Sequence, residues 1–333
     1  MRVLVTGATG YLGYHVAAQL QVAGHTVVAL VREGRGHLLP AGCQPARGDL
    51  LDSGSIRRAL AGCDALVHLA ALVRMWARDP RDFDRVNVEA LAATLRAAEE
   101  AGVKRVVYTS TIVALGPTDG EVRDERFERT EFRFRTDYER TKWLAERLVR
   151  EKAAAGNPLI TVYPGIVYGP GASTEANLLG GMLRRHLSGR LPARLGLGHL
   201  RICYAYTEDV ARGHLLALER GTPGRGYILG GENASQDQLF SLLTELTGVP
   251  PPRYAIPYWA GEAAGRMLRA VAWLTGVPPA MTDGVVGTYR HEWAYGSARA
   301  ERELGYRVTP LREGLRATVE ALRRETARTG STS

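Results

Sequence analysis

The N-terminal segment of the chain combines a short apolar strand, a glycine-rich turn and a helix. Arg2–Thr6 is an apolar run that ends at Gly7, and apolar residues then recur at helical spacing over residues 11–23. Gly24 interrupts that pattern, and Thr26–Val31 is again an apolar strand. Two strands joined through a helix must lie parallel in one sheet, so this segment predicts a βαβ unit.

The same alternation continues to about residue 165. Further strands are predicted at 65–69, 105–108 and 159–163, separated by helices at 55–61, 80–101 and 138–155. Strands with few polar positions indicate a parallel sheet covered on both faces, so we predict an α/β fold with a doubly wound parallel sheet of the Rossmann type. The predicted domains are residues 1–165, to which 207–225 return, and a smaller C-terminal substrate-binding lobe formed by 166–206 and 226–333. That lobe is expected over the carboxyl edge of the sheet, where open α/β sheets bind ligands.

Composition narrows the range of functions. Apolar residues make up 45% and charged residues 23% of the 333 residues, which is typical of a soluble globular protein. The net charge of +8 is mild and no basic run with interleaved aromatics accompanies it, so nucleic acid is not expected as a partner. Cys43, Cys63 and Cys203 lack metal-ligand spacing, which predicts no metal site and a reducing, cytoplasmic compartment. No apolar stretch approaches the roughly 18 residues of a membrane span.

The glycine turn has a spacing that suits a phosphate ligand. Gly7, Gly10 and Gly13 form a G-x-x-G-x-x-G pattern between the first strand and the first helix. Gly7 allows the sharp turn, Gly10 lets backbone amides approach a pyrophosphate, and Gly13 permits close contact between helix and strand. The helix start at Tyr11 and Leu12 adds unpaired N–H groups and the positive end of the helix dipole.

This spacing resembles the TGxxGxxG pattern of the short-chain dehydrogenase/reductase superfamily in its extended form, the NAD(P)-dependent epimerase/dehydratase family. Two further segments resemble marks of that family. Gly48–Asp49–Leu50 matches the G-D-L that contacts the adenine, which implies cofactor contacts at Asp49 and Leu50. Residues 68–71 match the H-x-A-A that passes beside the ribose, which implies contacts at Leu69, Ala70 and Ala71.

The end of the second strand bears on the choice of nicotinamide cofactor. In family members that prefer NAD, an acidic residue stands where this chain has Val31. The next residue of this chain is Arg32, whose guanidinium can pair with a 2′-phosphate. Glu33 could serve as the acid after a shift of one residue. We therefore predict NADP, with NAD as the alternative.

Tyr138 and Lys142 form a Y-x-x-x-K pair on a predicted helix, about one turn apart on the same face. A tyrosine of pKa about 10 is a poor base near neutrality, and an ammonium held close to it would lower its pKa. The resemblance makes Tyr138 the proton donor or acceptor and has Lys142 bind the cofactor ribose. A solvated helix face is the alternative interpretation of the spacing.

Three hydroxyl residues, Thr109, Ser110 and Thr111, end the strand at 105–108. The resemblance implies that Thr111 completes the catalytic set by holding the reacting oxygen of the substrate, with Ser110 as the alternative, and that Thr109 contacts the cofactor. Residues 163–170 resemble the R-P-x-x-V-Y-G-P segment beside the nicotinamide. Cofactor contacts are therefore implied there at Pro164, Ile166 and Val167, while Tyr163 departs from the usual Arg or Asn.

The residues around these motifs bear on the reaction type. Ile112 and Val113 stand where dehydratases of the family carry an acidic group, so dehydration is not expected. The arginine that clamps the diphosphate in nucleotide-sugar epimerases would fall on Ile202, one residue away from Arg201, and Arg290 or Arg299 could replace it.

The sequence resembles most the dihydroflavonol 4-reductase-like branch. This resemblance implies an NADP-dependent oxidoreductase that acts on a small to medium, partly apolar carbonyl or alcohol. It also implies a homodimer of the kind that relatives form. Met75, Trp76, Tyr204 and Thr111 are the candidate substrate contacts. A nucleotide-sugar epimerase and a non-catalytic NADP sensor are the alternatives.

One later segment allows two interpretations. Residues 258–281 combine Trp259, Met267, Trp273 and Leu274 with arginines at helical spacing. Such a helix could bind a membrane surface or an apolar substrate. We favour the other interpretation, an amphipathic helix that packs on the core of its own lobe.

Overall fold

A computed structural model describes residues 1–171, Thr174 and 177–330. The strands, in chain order, are β1 (Arg2–Thr6), β2 (Thr26–Val31), β3 (Gln44–Arg47), β4 (Ala65–His68), β5 (Arg105–Thr109), β6 (Leu159–Pro164), β7 (Ile166–Tyr168), β8 (Ala193–Leu195), β9 (Arg201–Tyr206), β10 (Gly226–Leu229), β11 (Glu232–Ser235) and β12 (Tyr254–Ile256).

The helices, in the same order, are α1 (Tyr11–Val22), α2 (Ser53–Leu60), α3 (Arg81–Asp84), α4 (Ala90–Glu100), α5 (Ile112–Leu115), α6 (Asp137–Ala154), α7 (Leu178–Leu187), α8 (Thr207–Arg220), α9 (Gln236–Thr247), α10 (Tyr258–Thr275), α11 (Asp283–Thr288), α12 (Ala298–Leu304) and α13 (Leu311–Gly330). A π-helical turn, Arg85–Glu89, joins α3 to α4, and a 3-10 turn, Gly36–Leu38, follows β2.

The central sheet has seven parallel strands in the order β3–β2–β1–β4–β5–β6–β10. The chain builds outward from β1 in one direction and then from β4 in the other, so the strand order reverses between these two strands. This arrangement confirms the predicted doubly wound sheet. In such sheets the crevice beyond the carboxyl ends of the strands at the reversal is the ligand site.

Apolar side chains cover both faces of the sheet. In β1, Val3 and Val5 pack with α1 and α8 on one face, whereas Leu4 packs with α2 and α4 on the other. Successive side chains of a strand point to opposite faces, so a strand buried on both sides must be apolar throughout. The continuous apolar runs of the sequence have this physical cause.

Residues 226–229, which the sequence analysis placed in the smaller lobe, form the edge strand β10 of the main sheet beside β6. This strand has only four residues and lies between glycines, so the sequence gives too short an apolar run to predict a strand of the main sheet. The polar edge strand β3 was not predicted either, because an edge strand needs no continuous apolar run. We propose that β10 belongs with the dinucleotide-binding part of the chain.

The later residues form small sheets beside the main one. Strands β11, β9 and β7 form a three-stranded sheet, and β12 pairs with β8. Gly165 alone separates β6 of the main sheet from β7 of the small one, and a Cβ there would lie 2.6 Å from the Cys203 carbonyl oxygen. The chain can pass between the sheets at this position because the residue has no side chain.

The interpretation of α10 as a helix packed through its apolar residues is wrong. Its buried residues are Gly261, Gly265 and Ala272, whereas its tryptophans and Leu274 are exposed. The helix approaches its lobe through small residues because a Cβ on Gly265 would lie 2.3 Å from the Asp283 backbone nitrogen. No helix among the described residues is long and apolar enough to cross a membrane.

Candidate active site

Two positions of the glycine turn have no room for a side chain. Gly7 has a φ of 81°, and a Cβ on it would lie 2.8 Å from the backbone nitrogen of Ala70. A Cβ on Gly13 would lie 2.1 Å from the Gly7 carbonyl oxygen, which accepts a hydrogen bond from the Gly10 N–H at 2.9 Å. The turn therefore holds strand β1, helix α1 and the end of β4 in direct contact.

Helix α1 begins at this turn without a side-chain cap. Gly10 is the N-cap residue and has no side chain to accept from the first turn, so the N–H groups at Tyr11, Leu12 and Gly13 remain available to a ligand. Tyr11 itself is anchored, since its hydroxyl donates to the Gly169 carbonyl at 3.0 Å and lies 2.6 Å from the Thr207 hydroxyl. Backbone N–H groups at a helix start fit a pyrophosphate, so the turn suits a dinucleotide.

The chain after β4 runs along the turn. The Ala70 N–H donates to the Thr6 hydroxyl at 3.3 Å, and that hydroxyl lies 3.0 Å from His68 Nδ1. Burial lowers the pKa of His68 to about 3, so the imidazole is neutral and acts as a fixed hydrogen-bonding group. The backbone of Leu69 and Ala70 is thereby held beside Gly7, and the half-buried Ala71 follows it.

The loop after β3 has a fixed shape at the other end of the crevice. The Leu51 N–H donates to Asp49 Oδ1 at 2.9 Å, and the Ser55 hydroxyl binds both the N–H and the carbonyl of Asp49. Asp49 is exposed and Leu50 packs against the core below it. The structure thus presents the Asp49 carboxylate at the surface of the loop that was predicted to contact the adenine.

Three arginines gather where β2 and β3 end. Arg32 follows β2, Arg35 lies one turn later, and Arg47 pairs in register with Val31 across the parallel ladder. All three are exposed, and none has an ion-pair partner within the described part of the chain. The sequence alone indicates only Arg32, because the register that brings Arg47 beside β2 depends on the unpredicted strand β3.

The structure brings Tyr138 and Thr111 together. Tyr138 lies in the first turn of α6, whose N-terminus is capped by Thr136, and its phenol is near enough to the Thr111 hydroxyl for that group to affect its pKa. Burial raises the pKa of Tyr138 to about 12, and the hydrogen bond with Thr111 lowers it by a smaller amount. Thr111 is buried and also accepts from the Val113 N–H at 3.3 Å, so its hydroxyl has a fixed position.

Lys142 lies one turn after Tyr138 and points to the end of β5. Its Nζ donates to the Tyr108 hydroxyl at 3.0 Å and to the Thr109 carbonyl at 2.8 Å. Burial lowers the pKa of Lys142 to about 7, whereas the Glu146 carboxylate acts to raise it. The expected lowering of the Tyr138 pKa by the Lys142 ammonium is not found, because the ammonium is bound to Tyr108 and Thr109 and burial of the phenol raises its pKa.

A buried acid on α6 was missed by sequence reasoning. Glu146 lies one turn beyond Lys142, and its Oε1 accepts hydrogen bonds from the Tyr163 hydroxyl and from Arg150 Nε. The K-x-x-x-E spacing after the Tyr–Lys pair was the available signal. Tyr163, whose role the sequence left open, thus binds Glu146 from strand β6.

Asn87 was missed as well. It lies in the π-helical turn Arg85–Glu89, a feature that often marks functional sites. Its side chain accepts from the Leu72 N–H at 2.7 Å and donates to the Thr141 hydroxyl at 3.1 Å. Asn87 therefore ties the loop that carries Met75 and Trp76 to helix α6.

The remaining candidate substrate and cofactor contacts differ in how far they are buried. Met75 and Trp76 are half-buried, and Trp76 Nε1 has no hydrogen-bond partner in the described structure. Tyr204 is buried in the core of the smaller lobe, so a substrate contact there stays a prediction. The predicted cofactor contacts Pro164, Ile166 and Val167 lie at the crossing from β6 to β7.

The arginines considered as diphosphate clamps are engaged with protein groups. Arg201 binds Glu292 through Nε at 2.9 Å, and Arg290 binds Glu262 at 2.7 Å. Arg299 donates to the Gly226 carbonyl at 3.0 Å. Among the described residues, no three His, Cys, Asp or Glu side chains gather as they would around a metal ion.

A doubly wound sheet with this glycine turn and this Tyr–Lys–Thr set defines a nicotinamide-dependent oxidoreductase of the extended short-chain class. Comparison with known proteins agrees, since the model of the NAD dependent epimerase/dehydratase family matches residues 3–230. The chain belongs to that family.

Reductases and sugar-nucleotide enzymes both appear among its relatives. A protein provisionally named dihydroflavonol 4-reductase, from Synechocystis, is 31% identical over 93% of this chain and 91% of its own. The 4-hydroxy-2-methyl-3-oxo-4-farnesyl-3,4-dihydroquinoline-1-oxide ketoreductase of Stigmatella aurantiaca is 31% identical over 96% of each chain. The structure of MoeE5 in complex with UDP-glucose and NAD has a TM-score of 0.77 and 28% identity, with 98% of this chain and all of that chain covered.

Proposed function

We propose that the protein is an NADP-dependent reductase of a small to medium, partly apolar ketone or aldehyde. The proximity of the Tyr138 phenol to the Thr111 hydroxyl carries the proposal, because a buried proton donor and a second hydroxyl lie on the same side of the crevice at the ends of α6 and β5. A carbonyl oxygen placed there can accept hydrogen bonds from both groups. A nicotinamide cofactor, when bound, supplies the hydride that reduction needs.

The protonation states suit reduction. With its pKa raised to about 12, Tyr138 keeps its proton at neutral pH and can give it to the oxygen of a carbonyl that becomes an alcohol. Thr111 holds that oxygen. Lys142 would bind the ribose hydroxyls of the cofactor as an ammonium, and on reaching Tyr138 it would stabilise the phenolate that remains after the proton has left.

The preference for NADP is supported by charge at the end of β2. Arg32, Arg35 and Arg47 lie at the ends of β2 and β3, near the place where an acidic residue would read the ribose of NAD, and they outnumber the nearby acids Glu33 and Asp49. A 2′-phosphate would pair with such a cluster through charge-assisted hydrogen bonds. NAD remains the alternative cofactor.

The hydrogen bonds of the arginines that could have clamped a diphosphate support a partly apolar substrate. Arg201, Arg290 and Arg299 each bind protein oxygens, so a diphosphate would have to compete with those contacts. Met75 and Trp76 provide apolar surface on the loop held by Asn87. The relative from Stigmatella aurantiaca, by its name, reduces a molecule with a farnesyl chain.

A nucleotide-sugar epimerase is the second candidate, because MoeE5 shares the fold over its whole length and binds UDP-glucose and NAD. A substrate panel separates the possibilities. We expect NADPH absorbance to fall with apolar ketones or aldehydes, and no change of UDP- or dTDP-sugars on sugar analysis. Conversion of a sugar nucleotide alone would establish the epimerase, and cofactor binding without any turnover would establish a sensor.

The proposal extends to the cellular compartment, the oligomeric state and the domains of the protein. The three cysteines are free thiols, as a reducing, cytoplasmic compartment would keep them. A homodimer through helices of the first domain is also proposed, by analogy with the extended family. We propose that the dinucleotide-binding domain comprises residues 1–165 together with 207–225 and strand β10, and that the remaining residues form the substrate-binding lobe.

A further inference from the structure

Helix α10 presents an exposed apolar face. Leu274 is 87% exposed, Trp259 73%, Met267 64% and Trp273 51%, and Val277 beyond the helix end is also exposed. Val271 is 48% exposed as well. Single exposed apolar residues are ordinary, but six large ones on one helix and its end are not. This surface, which we call the α10 face, is defined by these six residues.

The fold keeps this face turned outward. At helical spacing Trp259, Met267 and Leu274 fall on one side, opposite Gly261 and Gly265. A Cβ on Gly265 would lie 2.3 Å from the Asp283 backbone nitrogen and one on Gly261 would lie 3.1 Å from Leu195, so only small residues fit against the lobe. The helix cannot rotate to bury its tryptophans without breaking these contacts.

The charge around the α10 face is positive. Arg266 lies on the exposed side and has no ion-pair partner among the residues the structure describes. Arg269 is also exposed and its guanidinium reaches Asp283 at 3.2 Å. The single acid of the helix, Glu262, is bound to Arg290 at 2.7 Å. The face thus offers apolar side chains together with an uncompensated cation.

This charge argues against a second copy of the chain as the occupant. A twofold interface through α10 would bring the same surface of both copies together. Arg266 of each copy would then be removed from water beside the other without an acid to pair with, which is costly. An anionic surface avoids this problem, because apolar side chains and cations are both stabilised there.

We propose that α10 docks the protein on an anionic lipid surface, with the helix parallel to it. Trp259, Met267, Trp273 and Leu274 would enter the interfacial layer, where tryptophan is favoured, and Arg266 would contact lipid phosphates. The far end of the helix, Gly276, lies against the guanidinium of Arg78. Since Arg78 follows Trp76 by two residues, the lipid surface would adjoin the loop that carries the candidate substrate contacts.

The proposal does not depend on the reaction, so binding rather than activity tests it. The full-length protein is floated with vesicles of phosphatidylcholine alone or of phosphatidylcholine and phosphatidylglycerol in equal parts. We expect binding to the mixed vesicles, a blue shift of tryptophan fluorescence, and loss of binding at high salt.

Two variants of the face are compared with two matched controls. Leu274→Ser and Arg266→Glu should each lower partitioning onto mixed vesicles by about tenfold. Val22→Ser, at a valine that is 90% exposed on α1, and Arg316→Glu, at an exposed arginine of α13, should leave it unchanged. All four sites are exposed, so circular dichroism should show the same fold throughout.

Three outcomes would overturn the proposal. The wild-type protein could fail to float with either vesicle, or the controls could lose binding as much as the α10 variants. Alternatively, sedimentation could show a dimer that Leu274→Ser converts to a monomer while vesicles bind neither, which would assign the face to a second copy.

Discussion

The Tyr163 hydroxyl donates a hydrogen bond to the buried carboxylate of Glu146, from the position where the extended family usually has an Arg or Asn. The positive charge that an arginine would bring comes instead from Arg150, whose Nε lies 2.9 Å from the same oxygen. A phenol on β6 and a guanidinium on α6 thus share the task of satisfying one buried acid. That acid lies one turn from Lys142, so its environment affects the candidate catalytic group.

We expect Tyr163→Phe to lower the free energy of unfolding by about 1–3 kcal/mol. The change removes a donor to a buried carboxylate whose other oxygen, Glu146 Oε2, already has no hydrogen-bond partner in the described structure. Chemical denaturation measures the loss. Tyr254→Phe, at an exposed tyrosine, is the control and should change stability by less than about 0.5 kcal/mol. Equal stability of both variants would mean that the bond contributes nothing.

Glu146→Gln is expected to shift the pH dependence of reduction. The proposed reaction uses Lys142 as an ammonium, so kcat/KM should fall as the pH rises through about 7, the lowered pKa of this lysine. The carboxylate acts to raise that pKa, so its neutralisation lowers the pKa further and the fall should begin at lower pH. Glu151→Gln, at an exposed acid of the same helix, should leave the profile in place. A profile of Glu146→Gln identical to that of the wild type would refute the coupling.

Tyr138→Phe should abolish the proton transfer. We expect kcat to fall by about a hundredfold to ten-thousandfold, the range typical of a lost general acid, while the Kd for NADPH stays within a few-fold. Steady-state kinetics and a cofactor titration measure the two quantities. Tyr14→Phe, at an exposed tyrosine of α1, should retain full activity. Turnover in Tyr138→Phe close to that of the wild type would remove Tyr138 as the donor.

Arg32→Ala and Arg47→Ala should weaken NADP binding much more than NAD binding. Each loses a charge-assisted hydrogen bond to the 2′-phosphate, which corresponds to about a tenfold to hundredfold higher Kd for NADP. Calorimetric titration with both cofactors gives the ratio. Arg58→Ala, at an exposed arginine of α2, should affect neither. An equal loss for both cofactors would show that these arginines do not read the phosphate.

The framework of the fold could be predicted because its causes are local in the sequence. Apolar runs such as Arg2–Thr6 and Thr26–Val31 are strands with the predicted bounds, since burial on both faces of a parallel sheet leaves little room for polar residues. The glycine turn could be located for the same reason. The steric limit at Gly13 comes from Gly7 within one strand–turn–helix unit, although the limit at Gly7 comes from the distant backbone of Leu69 and Ala70.

Features that depend on distant contacts could not be predicted. Arg47 lies beside the end of β2 only because the polar edge strand β3 pairs there. The role of Tyr163 required knowing that β6 faces Glu146 across the core. The orientation of α10 is set by the approach of Gly265 to the backbone of Asp283, and an amphipathic pattern alone does not say which face is buried.

The passage of the chain through Gly165 has a mechanical consequence. One uninterrupted stretch of backbone belongs to both sheets, so a displacement of β6 in the main sheet is passed directly to β7 in the small one. Replacing Gly165 by any larger residue would disturb both halves of the molecule at once.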